Sequence, residues 1–343
     1  MKTKKKTYAS AIKILLCASL ACILSLSPLA LTSCENESMS ISDKFAAGET
    51  IKIGIIQLSP NPSLDNCRRG IMAALEGSGL NIDCDLQVGS PNSAESDCAT
   101  FAGKMVADGT DMIIAIATPA ARSAFTAAAD TGIPVIFCAV SDPVGAGLAK
   151  SWEAPGYNAT GTSDVLDMEL HLDMILTLQP EVKTIGVIYT SSEENSLTQL
   201  KALRAACDGR GVTVNATAVQ GAADIPAAAA TVAKSSDCIL NFTDNNVVQS
   251  LSVLLSAAEG EGIPVYGSEI EQVKNGCAAS MSIDYEALGR LTGEQAADVI
   301  RGADPATLAI KKLSAASPVL NTATLASLGI TIPDAYASAE RVD

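Results

Sequence analysis

The stretch Thr50–Gly70, TIKIGIIQLSPNPSLDNCRRG, reads as strand, loop and helix. Ile51, Ile53, Ile55 and Ile56 form a short β-branched run of the kind buried on both faces of a parallel sheet. Gln57–Ser63 is polar and holds two prolines, so the strand stops there. Leu64, Cys67, Ile71 and Leu75 then recur at helical spacing. A loop at the carboxyl end of a buried parallel strand is where open α/β sheets bind ligands.

Further along, the unit returns. Lys183–Ser196, KTIGVIYTSSEENS, repeats the plan of apolar strand, polar loop and helix start. Asp111–Ala117 (DMIIAIA) is matched by Asp237–Phe242 (DCILNF), and Gly132–Val135 (GIPV) by Gly262–Val265 (GIPV). Ile53 and Ile185 are 132 residues apart, Asp111 and Asp237 126, and Gly132 and Gly262 130. Three markers in near register argue for two similar lobes. Strand-like and helix-like segments alternate throughout, which implies parallel sheets with helices on both faces. The expected fold class is α/β, with two similar doubly wound parallel-sheet lobes.

At 343 residues the chain is long enough for about two domains. Hydrophobic residues make up 48% but aromatics only 3%, so the core must be built from Ala, Val, Ile and Leu. The formal charge is −15, and the first 33 residues carry five lysines and no acid, leaving about −20 on the remainder. Such a surface repels phosphate backbones, so nucleic acid is not an expected partner.

Basic Lys2–Lys6 followed by mostly apolar Ile14–Leu31 reads as a targeting segment. Leu31-Thr32-Ser33-Cys34 resembles the processing site of bacterial lipoproteins, which implies a signal peptide over 1–33 and a lipid on Cys34. A plain signal peptide and an uncleaved anchor helix are the alternatives. Residues 34–50 are expected to form a flexible tether. Seven cysteines lie beyond Cys34, an odd number without C-x-x-C, so neither a disulfide framework nor a zinc site is indicated.

Several stretches together resemble the extracellular substrate-binding proteins of bacterial ABC transporters, and most closely the lipoproteins of the tryptophan/tyrosine-type family. They include ATPAARSA (117–124), PVIFCAVSDPVGAGL (134–148), NATGTSD (158–164), IGVIYTSSEENS (185–196), FTDNNVV (242–248) and YEALGRLTGEQAADVIRG (285–302). The resemblance implies the type I periplasmic-binding fold, with two lobes joined by a multi-segment hinge and closing over a small ligand. Lobe 1 is then expected over 51–163 and 282–303, and lobe 2 over 164–281 and 304–343, with crossings near Ser163, Ser282 and Ala303. It further implies a monomer that delivers an amino acid, aromatic by the family name, to an ABC permease at the outer face of the cell membrane. The alternative is a ligand-sensing lipoprotein that signals to a membrane receptor without import.

A zwitterion needs donors for its carboxylate and an acceptor for its ammonium. Thr118, Ser191, Ser192 and Ser196 lie beside expected helix N-termini and fit the first need. Asp244, with Asn245 beside it, fits the second. Each equally suits ordinary N-capping. Gln57, Ser59, Asp142 and Glu269 sit on other strand-end loops and are expected to line the cleft, unless they merely bond their own backbone. Tyr189 ends a strand and either stacks on the ligand or packs in the core. Asp164, Asp167 and Asp173 read as a solvated helix start.

Enzyme signatures are mostly missing. His171 is the lone histidine and sits in a helical stretch, and neither G-x-x-x-x-G-K-[ST] nor G-x-G-x-x-G follows a strand. A binding protein without catalytic residues, cofactor or metal is therefore expected.

Overall fold

The structure, a computed structural model, describes residues 39–91, 93–313 and 317–343. The expected signal segment, the expected lipid site Cys34 and the start of the expected tether lie outside the described residues. The rest of the tether is not featureless: Ile41–Ala46 form a helix, α1, capped by Ser40. Lys44 Nζ meets Asp111 Oδ1 at 2.6 Å, so this stretch is held on the first lobe rather than hanging free.

In the first lobe, β1 (Ile51–Gln57), β2 (Ile82–Val88), β3 (Met112–Ile116), β4 (Val135–Cys138) and β5 (Ala159–Ser163) lie in the order 2-1-3-4-5, all parallel. Helices α2 (Pro62–Gly77), α3 (Ala94–Ala107) and α4 (Thr118–Ala128) connect them. This doubly wound order reverses direction between β1 and β3, where such sheets bind ligands. Register makes the carboxyl ends level, because Gln57 pairs with Ile116 and Ile116 with Cys138. The loops that follow all three strands therefore open on the same edge.

The second lobe repeats the plan. Helix α5 (Met168–Leu178) leads to β6 (Thr184–Thr190), α6 (Glu194–Cys207), β7 (Thr213–Val219), α7 (Ile225–Lys234) and β8 (Cys238–Leu240). Helices α8 (Asn245–Gln249) and α9 (Leu251–Glu261) lead to β9 (Val265–Tyr266), and α10 (Ile270–Lys274) to β10 (Ala279–Ser282). The order is β7-β6-β8-β9, again reversing beside the first strand. Ala278 N–H donates to the Val265 carbonyl (2.7 Å) and Gly267 N–H to that of Ala279 (2.8 Å), which carries the sheet on to β10.

One glycine per lobe shows how deep the repetition goes. A Cβ on Gly54 in β1 would overlap Met105 of α3, and one on Gly186 in β6 would overlap Val232 of α7. Each first strand thus leaves room for a covering helix at the same point of its sequence, IGI in one and IGV in the other. With few aromatics, close packing relies on such small side chains.

After β10 the chain returns to the first lobe as α11 (Tyr285–Ile300). This helix crosses α2 backbone to backbone: a Cβ on Gly289 would overlap the Cys67 carbonyl, and one on Gly70 that of Glu286. The third crossing differs from expectation. Residues 304–312 stay with the first lobe, because Thr160 Oγ1 donates to the Leu308 carbonyl (2.7 Å) and Ile310 N–H to that of Trp152 (2.9 Å). Lys311–Lys312 then form β11, parallel to β5. The chain crosses only between Lys312 and β12 (Ser317–Asn321), which pairs antiparallel with β10. Helix α12 (Thr322–Ser327) and β13 (Glu340–Val342), parallel to β12, complete the second lobe.

Candidate ligand-binding site

The carboxyl edges of the two sheets face each other across a small cavity of about 30 Å³. From the first lobe come Asn61, Ser63 and Leu64 after β1, Ala117 and Thr118 after β3, and Ala139 with Ser141 after β4. Two of these have unusual backbones. Ala117 (φ 83°) and Ala139 (φ 55°) are the only non-glycine residues with positive φ among the described residues. Such conformations cost about 1–3 kcal/mol each and cluster at ligand clamps. Ala117 is held in place by its N–H, which donates to the Cys138 carbonyl at 2.9 Å. It stands at the start of α4, which has no side-chain cap and no acid in its first turn. The N-terminal N–H groups of α4 and the Thr118 hydroxyl therefore offer donors and a positive dipole end to the cavity.

The second lobe answers with Asn195, Thr243, Asn245, Val248, Glu269 and Gln272. Glu269 caps α10, accepting from Glu271 N–H (2.7 Å) and Gln272 N–H (3.0 Å). It also accepts from Ser63 Oγ of the other lobe at 2.7 Å. Burial pushes its carboxyl up to about 7. Asp164 lies at the first crossing, only 4% exposed, with one oxygen accepting from Ser141 Oγ (2.9 Å) and the other from Tyr285 OH (3.1 Å). Burial raises its carboxyl above the usual range despite those bonds. The sequence places Asp164 on a solvated helix start; the chain turns inward there instead.

Further hydrogen bonds cross between lobes. Gln249 Nε2 donates to Ser59 Oγ (2.8 Å), Gln199 Nε2 to Ser141 Oγ (3.3 Å) and Thr198 Oγ1 to Asp142 Oδ2 (3.3 Å). The lobes are thus closed on one another.

Of the residues singled out from sequence, Thr118, Asn245 and Glu269 line the cavity. Ser59 and Asp142 are in cross-lobe bonds beside it. Gln57 is buried below, its Nε2 donating to the Ser59 carbonyl (2.9 Å) and to Asp65 (3.0 Å). Asp244 caps α8 and accepts from Thr190 N–H (2.6 Å), Thr190 Oγ1 (2.9 Å), Ser196 Oγ (2.7 Å) and Val247 N–H (3.1 Å). Its acceptor capacity is spent on the protein, and neither it nor Ser196 reaches the cavity wall. Ser191 N–H donates to the Val219 carbonyl, and exposed Ser192 stands at the cleft mouth. Tyr189 is half-buried against the second-lobe core, not in the cavity. His171 is buried in α5, its Nδ1 2.8 Å from the Asp167 carbonyl. Sequence reasoning places Asp164 on a solvated helix start and passes over Asn195, Ser141 and Tyr285. Asn195 carried a signal, standing between Ser192 and Ser196 in a loop already singled out.

A match to the ABC transporter substrate binding protein family spans residues 52–342. This chain belongs to that family. A tyrosine-binding protein of Clostridioides difficile is 35% identical over 305 residues, covering 87% of this chain and 88% of its own. A Streptococcus pneumonia protein in complex with L-Trp superimposes with a TM-score of 0.82 at 34% identity, over 86% of this chain and all of that one. A ligand-free, open substrate-binding protein with adhesive properties from Clostridium difficile, also 34% identical, covers 85% of this chain and 99% of its own with a TM-score of 0.66. At equal identity the fit is better to the ligand-bound structure, in keeping with the bonds across the cleft. The fold is that of the type I periplasmic-binding proteins, and these relatives are solute-binding proteins rather than enzymes. Family members face the outside of the cell membrane. Among the described residues no helix is long and apolar enough to cross it.

Proposed function

We propose that this family member captures an aromatic amino acid between its lobes and delivers it to an ABC permease. The observation that carries the reading is the enclosed cavity with donors on one wall and buried acceptors on the other, in a chain that superimposes well on an L-Trp complex. The ligand carboxylate would lie at the N-terminus of α4 and Thr118, and the ammonium near Asp164 and Glu269. Leu64, Val248 and Tyr285, with the small side chains Ala117 and Ala139, supply the apolar part of the cavity lining that a ring would pack on. Ser59 and Asp142 serve closure rather than ligand contact in this reading, and Asp244 braces the wall. The bound form would dock on the permease as a monomer, anchored through lipid on Cys34, and Cys34→Ala should release it from the membrane fraction.

Calorimetry and thermal shift with the mature domain test the ligand. L-Trp or L-Tyr should raise the melting temperature by mass action, while sugars and nucleosides leave it unchanged. A shift with Leu or Val alone would discard the aromatic assignment. No shift with any amino acid would overturn the reading.

A further inference from the structure

Glu193 is the buried acid that the ligand scheme leaves unused. It lies on the loop between β6 and α6, 2% exposed, facing the outer cleft rather than the ligand cavity. Three asparagines surround it. Its Oε2 accepts from Asn195 Nδ2 (3.0 Å), Asn245 Nδ2 (2.7 Å) and Asn245 backbone N–H (3.0 Å), and Asn246 Nδ2 is 3.3 Å from Oε1.

The backbone N–H fixes Oε2 as an acceptor in either protonation state of Glu193, because a carboxyl proton can sit on Oε1. Both amide nitrogens must then point toward Glu193. Asn195 is constrained a second time, since its Nδ2 also donates to the Thr243 carbonyl at 3.1 Å. Its Oδ1 is left facing the other way. That oxygen is buried without a donor among the described residues, and Asn195, 4% exposed, is part of the cavity wall. A buried carbonyl oxygen without a donor is costly and calls for an N–H partner.

We infer that the ligand ammonium donates to Asn195 Oδ1, and that Glu193 is the positioning residue that presents this acceptor. The assignment rests on the amino-acid reading above. It adds a neutral acceptor to the acids Asp164 and Glu269, so the three ammonium N–H groups find partners without a third charge in the cavity. Glu193 touches no ligand and acts by orienting the two amides that line the second-lobe wall.

The test compares L-Tyr and L-Trp with their des-amino analogues, 3-(4-hydroxyphenyl)propionate and 3-indolepropionate, by calorimetry on the full mature protein. Glu193→Ala should weaken binding of the amino acids about tenfold and change binding of the analogues little. Glu193→Gln should recover most of the loss, because a Gln carbonyl can occupy the Oε2 position. Asn195→Ala, which removes the acceptor directly, should show the same selective loss should Glu193→Ala fail to fold. Equal losses for amino acid and analogue would make Glu193 structural only and overturn the inference, as would unchanged affinity in both Ala variants. Wild-type protein that binds no amino acid would overturn the ligand reading and this inference together. Wild type that binds amino acid and analogue equally would overturn only the ammonium assignment.

Discussion

The first lobe meets the cavity with donors and small apolar groups, the second with acceptors. Thr118 and the uncapped start of α4 stand on one side. Glu269 and the amides of Asn195 and Asn245 stand on the other. Both walls grow from the same kind of element, the loop at the carboxyl end of a parallel strand. Duplication of a fold therefore does not duplicate its chemistry. In the proposed function, a zwitterion that spans the gap would satisfy both walls only when they are close, which would couple binding to closure. Asp164 sits where the chain leaves the first lobe and adds a buried carboxyl at the hinge.

The contrast can be broken at several points. The largest effect is expected from Asp244→Ala. It would leave the buried Thr190 N–H, Ser196 hydroxyl and Val247 N–H without their acceptor, at a cost of about 3 kcal/mol. Chemical denaturation should show that loss. Retained stability with lost binding would instead return Asp244 to the ligand. Next comes Asp164→Asn, which keeps an acceptor for Ser141 but removes the charge. Amino-acid affinity should drop roughly thirtyfold, or about 2 kcal/mol, while the des-amino analogue loses nothing. Equal losses for both would place the ammonium elsewhere.

Thr118→Val tests the donor wall. It should weaken amino acid and analogue alike by about 1 kcal/mol, since both carry the carboxylate; selective loss of the amino acid would reverse the assignment of the walls. The smallest effect is on pH dependence. Burial raises the carboxyls of Glu269 to about 7 and Glu193 to about 8, from ordinary values near 4.5. The folded chain thus holds protons that the unfolded chain has released, and this contribution to stability is complete below about pH 4.5. It is lost progressively from there until pH has risen through 7 to 8, so the melting temperature without ligand should fall between about pH 4.5 and 8. An ammonium favours the charged carboxyls, so amino-acid binding should release protons there and strengthen with pH. Calorimetry in two buffers of different ionisation enthalpy measures that release, and a melting temperature that climbs from pH 5 to 8 would contradict the burial argument.

Local pattern was enough for the fold. A β-branched strand, a polar loop and a helical repeat of apolar residues recur at a nearly constant offset, and each is set by neighbours within about twenty residues. The parallel sheets and the switch-point location of the site follow from those elements. Thr118, Asn245 and Glu269 were legible for the same reason, since each opens or flanks a helix after a strand. Hydroxyls and acids near helix starts serve equally well as caps, and sequence does not separate the two roles. Asp244 spends its oxygens on Thr190 and Ser196, some 50 residues away in the chain. Tyr189 turns to the second-lobe core. Asp164 is drawn inward by Ser141 and by Tyr285, 121 residues on. Residues 304–312 stay on the first lobe through bonds to Trp152 and Thr160. By itself the sequence determined which segments become strands and helices and that two lobes would form, because those choices are local. Which carboxylates face the cavity and which brace the walls was decided only by the tertiary fold, because each buried acid takes whichever donors the far parts of the chain bring to it.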